Sequence, residues 1–369
     1  MSAGAIEAAT EHQLRARGAL SAALREGPSH AYLITGPSGS GKAASTRAFA
    51  AEILAEGSPD ASETRRRAMI DPSPHPDLVW LRPVGMSHAV EDVRSRLIRP
   101  APLKPFEGRR RVFVVEAADA LNEESQNAML KTLEDPPPHA HLILIASDAE
   151  AVLPTVASRC QRIEFDPLPE AAVVGRLGSG VPEQTAIAAA RLSRGDLGRA
   201  RLLAGPRGSG IRASVESMMA GVLEDRLSES PWLAVLDSAA ETGDAAADRV
   251  RAALADEAEE GVKRTKKETE DAVNRARRRA RTGVLELSLS LAGSWARDWA
   301  AVAAGADQVL FNADRAELLG EQATGIRVAA ARDAVGFVAE TRRRLDLNVS
   351  EELALEALCF RMTRLFNPA

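Results

Sequence analysis

Cysteine is nearly missing from this chain. Cys160 and Cys359 are the only two among 369 residues, too few and too far apart for a disulfide framework or a cysteine-rich metal site. The six histidines are scattered without ligand spacing, so no structural zinc is expected. No stretch approaches the roughly 18 consecutive apolar residues of a spanning helix, and the start of the chain, Met1 to Glu7, has no basic run leading into an apolar one. The expected location is therefore the cytoplasm. Charge of one sign is not in large excess either. With a formal net charge of −5, contact with nucleic acid would have to run through local basic patches and not through bulk charge. What the chain does have is 45% apolar and 27% charged residues, the balance of a globular protein. Its length suits two or three domains better than one core.

The first 168 residues mix short apolar runs with helical patterns. His30–Thr35, Asp77–Leu81, Arg111–Val115 and His141–Ile145 read as strands, and continuous apolar strands separated by helices predict a parallel sheet covered on both faces. Breaker residues cluster at 165–169 and again at 204–210, which places boundaries near both. The expected organisation is an α/β nucleotide-binding domain over 1–168, a small helical unit over 169–207 and an all-helical domain over 211–369. In that last region Ala, Leu, Arg and Glu recur at helical spacing. Asn348 followed by Glu351 has the pattern of a capping box leading into Leu353, Leu355 and Leu358. Trp295 and Trp299, at i,i+4 spacing, are expected in the helical core. The charged stretch 263–281 interleaves Lys263, Arg264, Lys266, Lys267 and five later arginines with Glu268, Glu270 and Asp271. Read as a helix, it predicts i,i+4 ion pairs on a solvated face, with a DNA- or partner-facing role as the alternative.

The strongest local signal is Gly36-Pro37-Ser38-Gly39-Ser40-Gly41-Lys42-Ala43, between the first apolar run and a helical pattern over Ala44–Leu54. Glycines let backbone N–H groups wrap a phosphate, the helix start adds its dipole, and Lys42 is placed to reach the β- and γ-phosphates of ATP. This is a P-loop with one departure: Ala43 stands where a Ser or Thr hydroxyl normally holds Mg²⁺. A second signal is Val112-Phe113-Val114-Val115-Glu116-Ala117-Ala118-Asp119, an apolar strand ending in acid, as a Walker B segment does. A hydrolytic version carries an acid for the Mg²⁺ shell and a second that activates water. Here those places hold Glu116 and Ala117, and Ala117 cannot take a proton. Nucleotide binding is expected to be weak or vestigial, with Mg²⁺ entering only alongside nucleotide. His75-Pro76-Asp77 reads as a turn leading into a strand and not as an acid–base pair.

Asn122-Glu123-Glu124-Ser125-Gln126-Asn127-Ala128-Met129-Leu130-Lys131-Thr132-Leu133-Glu134-Asp135-Pro136-Pro137 closely resembles the helix and proline turn that follow Walker B in bacterial clamp-loader subunits. Ala157-Ser158-Arg159-Cys160-Gln161 is similar to the Ser-Arg-Cys motif of the same family. The likeness is dense from about His30 to Phe165, weak at Leu192–Ala200, and returns over Arg342–Leu358. It implies a AAA+ module with a helical lid, followed by a helical collar that joins five subunits around primer–template DNA. The implied partners are the delta and gamma/tau subunits, with the sliding clamp and DNA reached through the complex. Some members hydrolyse ATP, whereas another is largely static and lends an arginine to its neighbour's site. That role would fall to Arg159.

Several departures favour the static member over an active gamma/tau-type ATPase, the alternative that an intact Lys42 supports. Ala43 and Ala117 are two. A third is the lid-domain arginine of active subunits, whose place aligns with Gly198, next to Arg199. The four-cysteine zinc module common in the family is also missing between Gly57 and Asp77. A P-loop small-molecule kinase would have neither the Ser158-Arg159-Cys160 element nor the long helical second half.

Overall fold

The computed structural model describes residues 3–83, 88, 90–259, 265–347 and 349–367. The described chain forms two compact units, one of residues 1–172 with 195–197 and one of 173–194 with 198–369.

The first unit opens with α1 (Ala3–Ala9) and α2 (Leu14–Glu26), then β1 (Ala31–Thr35), α3 (Lys42–Ala55), α4 (Ala61–Met69), β2 (Leu78–Leu81) and the short α5 (Val90–Val93), which runs into a π-turn at Arg94–Ile98. β3 (Arg111–Val115), α6 (Glu123–Glu134), β4 (Ala140–Ala146), α7 (Pro154–Ala157) and β5 (Gln161–Glu164) complete it. The five strands are all parallel, in the order β2-β3-β4-β1-β5. Every residue of β1, β3 and β4 is buried, because helices cover both faces and leave no side of these strands for polar side chains. The four apolar runs read as strands all form strands.

The fifth strand carried no such signal. β5 sits at an edge and buries only Ile163 of its four residues. Between β4 and β5 the helix is only the short α7, where Pro154 takes the first helical position, at which its missing N–H costs nothing. Between α3 and β2, where a cysteine cluster would lie in some relatives, α4 folds instead. Asp60 caps it by accepting from the Ser62 and Glu63 N–H groups, Ala68 is fully buried, and Arg65 ties it to Glu52 of α3 at 3.0 Å.

The second unit is helical throughout its described residues: α8 (Glu170–Leu177), α9 (Glu183–Ser193), α10 (Leu197–Ala204), α11 (Pro206–Leu223), α12 (Leu233–Glu259), α13 (Lys266–Ala303), α14 (Ala316–Gln322), α15 (Val328–Asp346) and α16 (Glu351–Phe366). The breaker cluster at 204–210 is the start of α11. Gly205 caps it, Pro206 holds the first position, and Gly208 is forced by packing, since a Cβ there would meet the Leu202 carbonyl at 2.1 Å. Trp295 and Trp299 are core residues, both donating to Gln322 Oε1, at 3.0 and 3.1 Å. α12 and α13 run together as a long hairpin, the far part of which is held by a small separate cluster of Ala247, Leu254 and Val273.

Among the described residues of the charged stretch, ion pairs run both along the helix and between helices. Lys266 meets Glu270 at 3.9 Å within α13, but Arg277 reaches Asp244 of α12 at 2.8 Å and Arg281 reaches Glu351 of α16 at 2.6 Å. Lys263 and Arg264 lie outside the described residues. So does Asn348, the expected cap of α16; that helix begins at Glu351 with Ser350 in the cap position.

Candidate functional site

In an open parallel sheet, ligands collect at the carboxyl ends of the strands, where neighbouring connections diverge. β1 lies between β4 and β5, and its carboxyl end runs straight into the glycine-rich loop 36–41. Gly36, Gly39 and Gly41 all take positive φ, at 140°, 73° and 101°. At Gly36 a Cβ would meet the Phe165 carbonyl oxygen at 2.3 Å, so glycine is required twice over, by dihedral and by space. Gln13, between α1 and α2, fastens this region. Its amide donates to the Asp166 carbonyl at 2.7 Å and to the Ser40 carbonyl at 3.3 Å, and its oxygen accepts from the Asp166 N–H at 2.8 Å.

Lys42 begins α3 and is buried. Its ammonium donates to the Gly36 carbonyl and, at 2.6 Å, to that of Pro37, so it lies folded onto its own loop. Burial pushes its pKa down to about 8, with the nearby charges of Asp119 and Asp196 opposing the shift. Ser38 and Gly39 are exposed at the loop tip, and the Ser40 hydroxyl is buried without a hydrogen-bond partner. A phosphate suits this cradle: glycine conformations that turn N–H groups inward, an orphaned hydroxyl and an ammonium.

Mg²⁺ does not suit it. Ala43 offers no oxygen, and neither nearby hydroxyl substitutes. Ser45 Oγ donates to the Ala9 carbonyl at 3.2 Å, and Thr46 Oγ1 is buried one position further along the helix. Glu116, at the end of β3, is engaged elsewhere: its Oε2 accepts from Trp80 Nε1 at 2.7 Å and from Arg82 Nε at 2.9 Å. Arg82 also holds Asp71 at 2.6 Å, and Asp71 holds Arg47 of α3 at 2.9 Å, whose guanidinium lies 4.3 Å over the Trp80 ring. These charges close on each other. Ala117 adopts a left-handed conformation, φ 53° and ψ 54°, and has no proton-accepting group. Among the described residues, no group of three or more His, Cys, Asp or Glu could hold a metal ion.

Arg159 lies at the other end of the sheet. β5 runs parallel to β1 with Gln161 opposite Tyr32 and Glu164 opposite Thr35, so Arg159 stands before the amino end of β5 while the loop follows the carboxyl end of β1. A strand of four residues separates them, about 13 Å at roughly 3.3 Å per residue. Its guanidinium is 36% exposed and donates to the Thr155 carbonyl and to Glu134 Oε1, both at 2.7 Å. Cys160 beside it is an unreactive thiol, its pKa pushed up to about 12 by burial. His75 and Asp77 are structural. Asp77 is fully buried and accepts from the Phe106 and Glu107 N–H groups at 2.7 and 3.0 Å, while its own N–H donates to His75 Nδ1.

The structure thus gathers residues 36–43 with Asp119, and sets Glu116 in a separate ion network. The sequence reading missed Asp119, although it closes the same Glu-Ala-Ala-Asp segment. It also missed Trp80 and Arg82, whose meeting with Glu116 depends on the pairing of β2 with β3.

A family model described as DNA polymerase III, delta subunit matches residues 15–169. The DNA polymerase III subunit delta' of Pseudomonas aeruginosa is 31% identical over 214 residues, 55% of this chain and 64% of that protein. The subunit tau of Bacillus subtilis is 30% identical over 159 residues, 42% of this chain and 28% of its own length, and the delta' of the same organism 30% over 151 residues, 40% and 46%. The chain therefore spans less than two thirds of the length of these relatives. A gamma subunit-related protein from Thermotoga maritima aligns over 96% of this chain and all of its own, at 15% identity and a TM-score of 0.38. The part of the chain that holds the P-loop and the five-stranded parallel sheet is thus similar in sequence to clamp-loader subunits of DNA polymerase III.

Proposed function

We propose that this chain is the delta-prime-type stator of a DNA polymerase III clamp loader. It would help an ATP-driven ring place the sliding clamp on primed DNA, and its Arg159 would act on the nucleotide of a neighbouring ATPase subunit. The observation that carries this reading is the position of Arg159, partly exposed at the end of the sheet away from its own P-loop, where it is placed to meet a phosphate held by another chain. A planar guanidinium offers paired donors to the oxygens of a transferring phosphoryl group, which a lysine cannot reproduce. The own site of this chain supports the same reading from the opposite side: a phosphate-shaped loop with no metal-holding hydroxyl, no water-activating acid and a Walker B carboxylate already paired. In this reading residues 1–168 are the AAA+ module, 169–207 its lid, and 211–369 the collar that joins delta and gamma/tau subunits. Zinc has no part in it.

The test is Arg159→Ala in a complex reconstituted with wild-type partners. Assembly is expected to remain normal while DNA-stimulated ATP hydrolysis and clamp loading fall, with little rescue by Arg159→Lys. Arginine fingers are worth roughly 10³–10⁵ in GTPases, and a smaller loss is expected in a ring with other such interfaces. Unchanged hydrolysis in an intact complex would return Arg159 to an ordinary surface charge. A second reading, an active gamma/tau-type ATPase, draws on Lys42 and the phosphate-shaped loop. Turnover by the purified chain at about 1 per second or faster, in the range of kinases, and abolished by Lys42→Ala, would favour it.

A further inference from the structure

We infer that the helical second unit carries an anion site of its own, a groove between α13 and α15 that takes the phosphate groups of a nucleic acid strand or of a free oligophosphate. Nothing in this inference depends on the role proposed for Arg159.

The groove consists of two adjoining cavities. The larger has a volume of about 580 Å³ and the smaller about 390 Å³, and they share Leu289 and Arg342. Both volumes lie in the roughly 300–1,000 Å³ range of ligand sites. The larger cavity is lined by Arg194, Arg297, Arg342 and Arg343 and by no carboxylate. The smaller adds Arg278, with Glu286 and Glu351 as its acids. Glu351 already takes Arg281 at 2.6 Å and Arg297 is paired with Asp298 at 2.9 Å behind the wall, so among the lining residues Glu286 alone opposes the four other guanidinium groups. That imbalance is local, in a chain whose total charge is −5.

Two neighbouring arginines are matched by an acid of α15. Arg344 holds Glu340 at 2.5 Å, and Arg361 of α16 holds the other oxygen of the same carboxylate at 2.7 Å. Arg342 and Arg343, immediately before Arg344, are exposed and have no ion-pair partner among the described residues. Across the groove Arg297 is held in place. It lies 4.1 Å over the Phe311 ring and donates to the Val309 carbonyl at 2.6 Å and to Asp298 at 2.9 Å. Two of its five donors are thereby used, and the rest remain for a ligand. Asp298 itself is fully buried and satisfied by the Phe311 and Asn312 N–H groups, so it holds Arg297 in place without projecting into the groove.

The floor is shaped for close approach. Arg278, Thr282, Leu285, Leu289, Gly293 and Arg297 follow one stripe of α13 at spacings of three and four residues, the repeat of a single helix face. From Arg278 to Arg297 this stripe runs about 28 Å at roughly 1.5 Å per residue. Gly293, with Ser290 and Ser294 beside it, keeps the middle of the floor low. An elongated, shallow trough with guanidinium groups on both rims suits a chain of phosphates, to which arginine binds with paired donors.

The experiment uses the full chain and two probes at low salt, a fluorescein-labelled 20-residue oligo(dT) and inorganic tripolyphosphate. Arg342→Glu/Arg343→Glu is compared with wild type and with Arg201→Glu/Arg207→Glu, which makes the same change in charge at two exposed residues outside the groove. The first pair is expected to weaken binding of the effective probe by about tenfold or more and, for oligo(dT), to lower the salt slope by about 1.4, at about 0.7 per phosphate contact on a single strand. The second pair is expected to change neither by more than about twofold, the size of a general charge effect. Binding of oligo(dT) that tripolyphosphate does not displace identifies a nucleic acid strand as the source, and binding of tripolyphosphate alone identifies a free anion. Failure of both probes to bind wild type, or equal losses in the two double variants, overturns the inference. Circular dichroism of each variant confirms that the helices remain.

Discussion

The two ends of the sheet in the first unit differ in what their charges are doing. At the carboxyl end, Lys42 is buried and turned onto the carbonyls of its own loop, and Glu116 is paired with Trp80 and Arg82. At the amino end, Arg159 is joined to Glu134 in a pair that is 36% and 53% exposed. A pair so open to water is worth only about 0–1 kcal/mol, so an incoming phosphate can displace Glu134 at small cost. Releasing Lys42 means undoing buried contacts, and releasing Glu116 means giving up the Trp80 hydrogen bond together with a half-exposed ion pair to Arg82. Glu116 is thus held by two partners at one end and Arg159 by a carbonyl and one exposed carboxylate at the other, although the same strands connect them.

Four substitutions sharpen or break this contrast. The largest effect is expected at Gly36. If the loop now serves the architecture, Gly36→Ala should cost on the order of 2–3 kcal/mol, because it places a side chain at positive φ against the Phe165 carbonyl. Urea unfolding followed by circular dichroism measures this, and a loss below about 0.5 kcal/mol, the range of ordinary surface changes, would show that the loop can relax.

The next effect depends on pH. Lys42 is lowered to about 8, against about 10.4 in an unfolded chain. Below pH 8 both states carry the proton and folding must bury the charge; between about 8 and 10.4 the unfolded chain holds more protons, so raising the pH through this window favours the folded state. Relative to Lys42→Met, wild type should gain stability between pH 7.5 and 9.5. Parallel pH profiles would mean that Lys42 keeps its charge when folded.

Legibility in the sequence followed how local each cause was. The strands β1, β3 and β4 were visible because burial on both faces leaves an unbroken apolar run. β5 was not, since an edge strand with Gln161, Arg162 and Glu164 around Ile163 resembles a loop. The glycine loop could be read residue by residue, because its conformation is fixed by its own backbone. The engagement of Glu116 could not, because Trp80 and Arg82 lie 36 and 34 positions away and meet it only through strand register.

Arg82→Ala should show a smaller effect, about 0.5 kcal/mol of stability for a half-exposed pair, with a more telling functional readout. If Arg82 keeps Glu116 from the loop, its removal should strengthen nucleotide binding in Mg²⁺ relative to EDTA, measured by calorimetry. An unchanged ratio would assign the weakness of the metal site to Ala43 alone. The smallest effect is expected from Glu134→Ala, which should leave the melting temperature within about 2 °C, since the pair is exposed. A larger drop would mean that Arg159 is a structural anchor and would remove the contrast between the two ends.

The hairpin of α12 and α13 has a consequence in time. Its far part is held by Ala247, Leu254 and Val273, whereas the near part shares the large cluster around Trp295 and Trp299. Opening free energies follow the apolar contacts that must be broken, so amide protons around Leu254 and Val273 should exchange well before those around Trp299. The hairpin then has a firm root around Trp299 and a more yielding section around Leu254 and Val273, which can open while the rest of the unit stays folded.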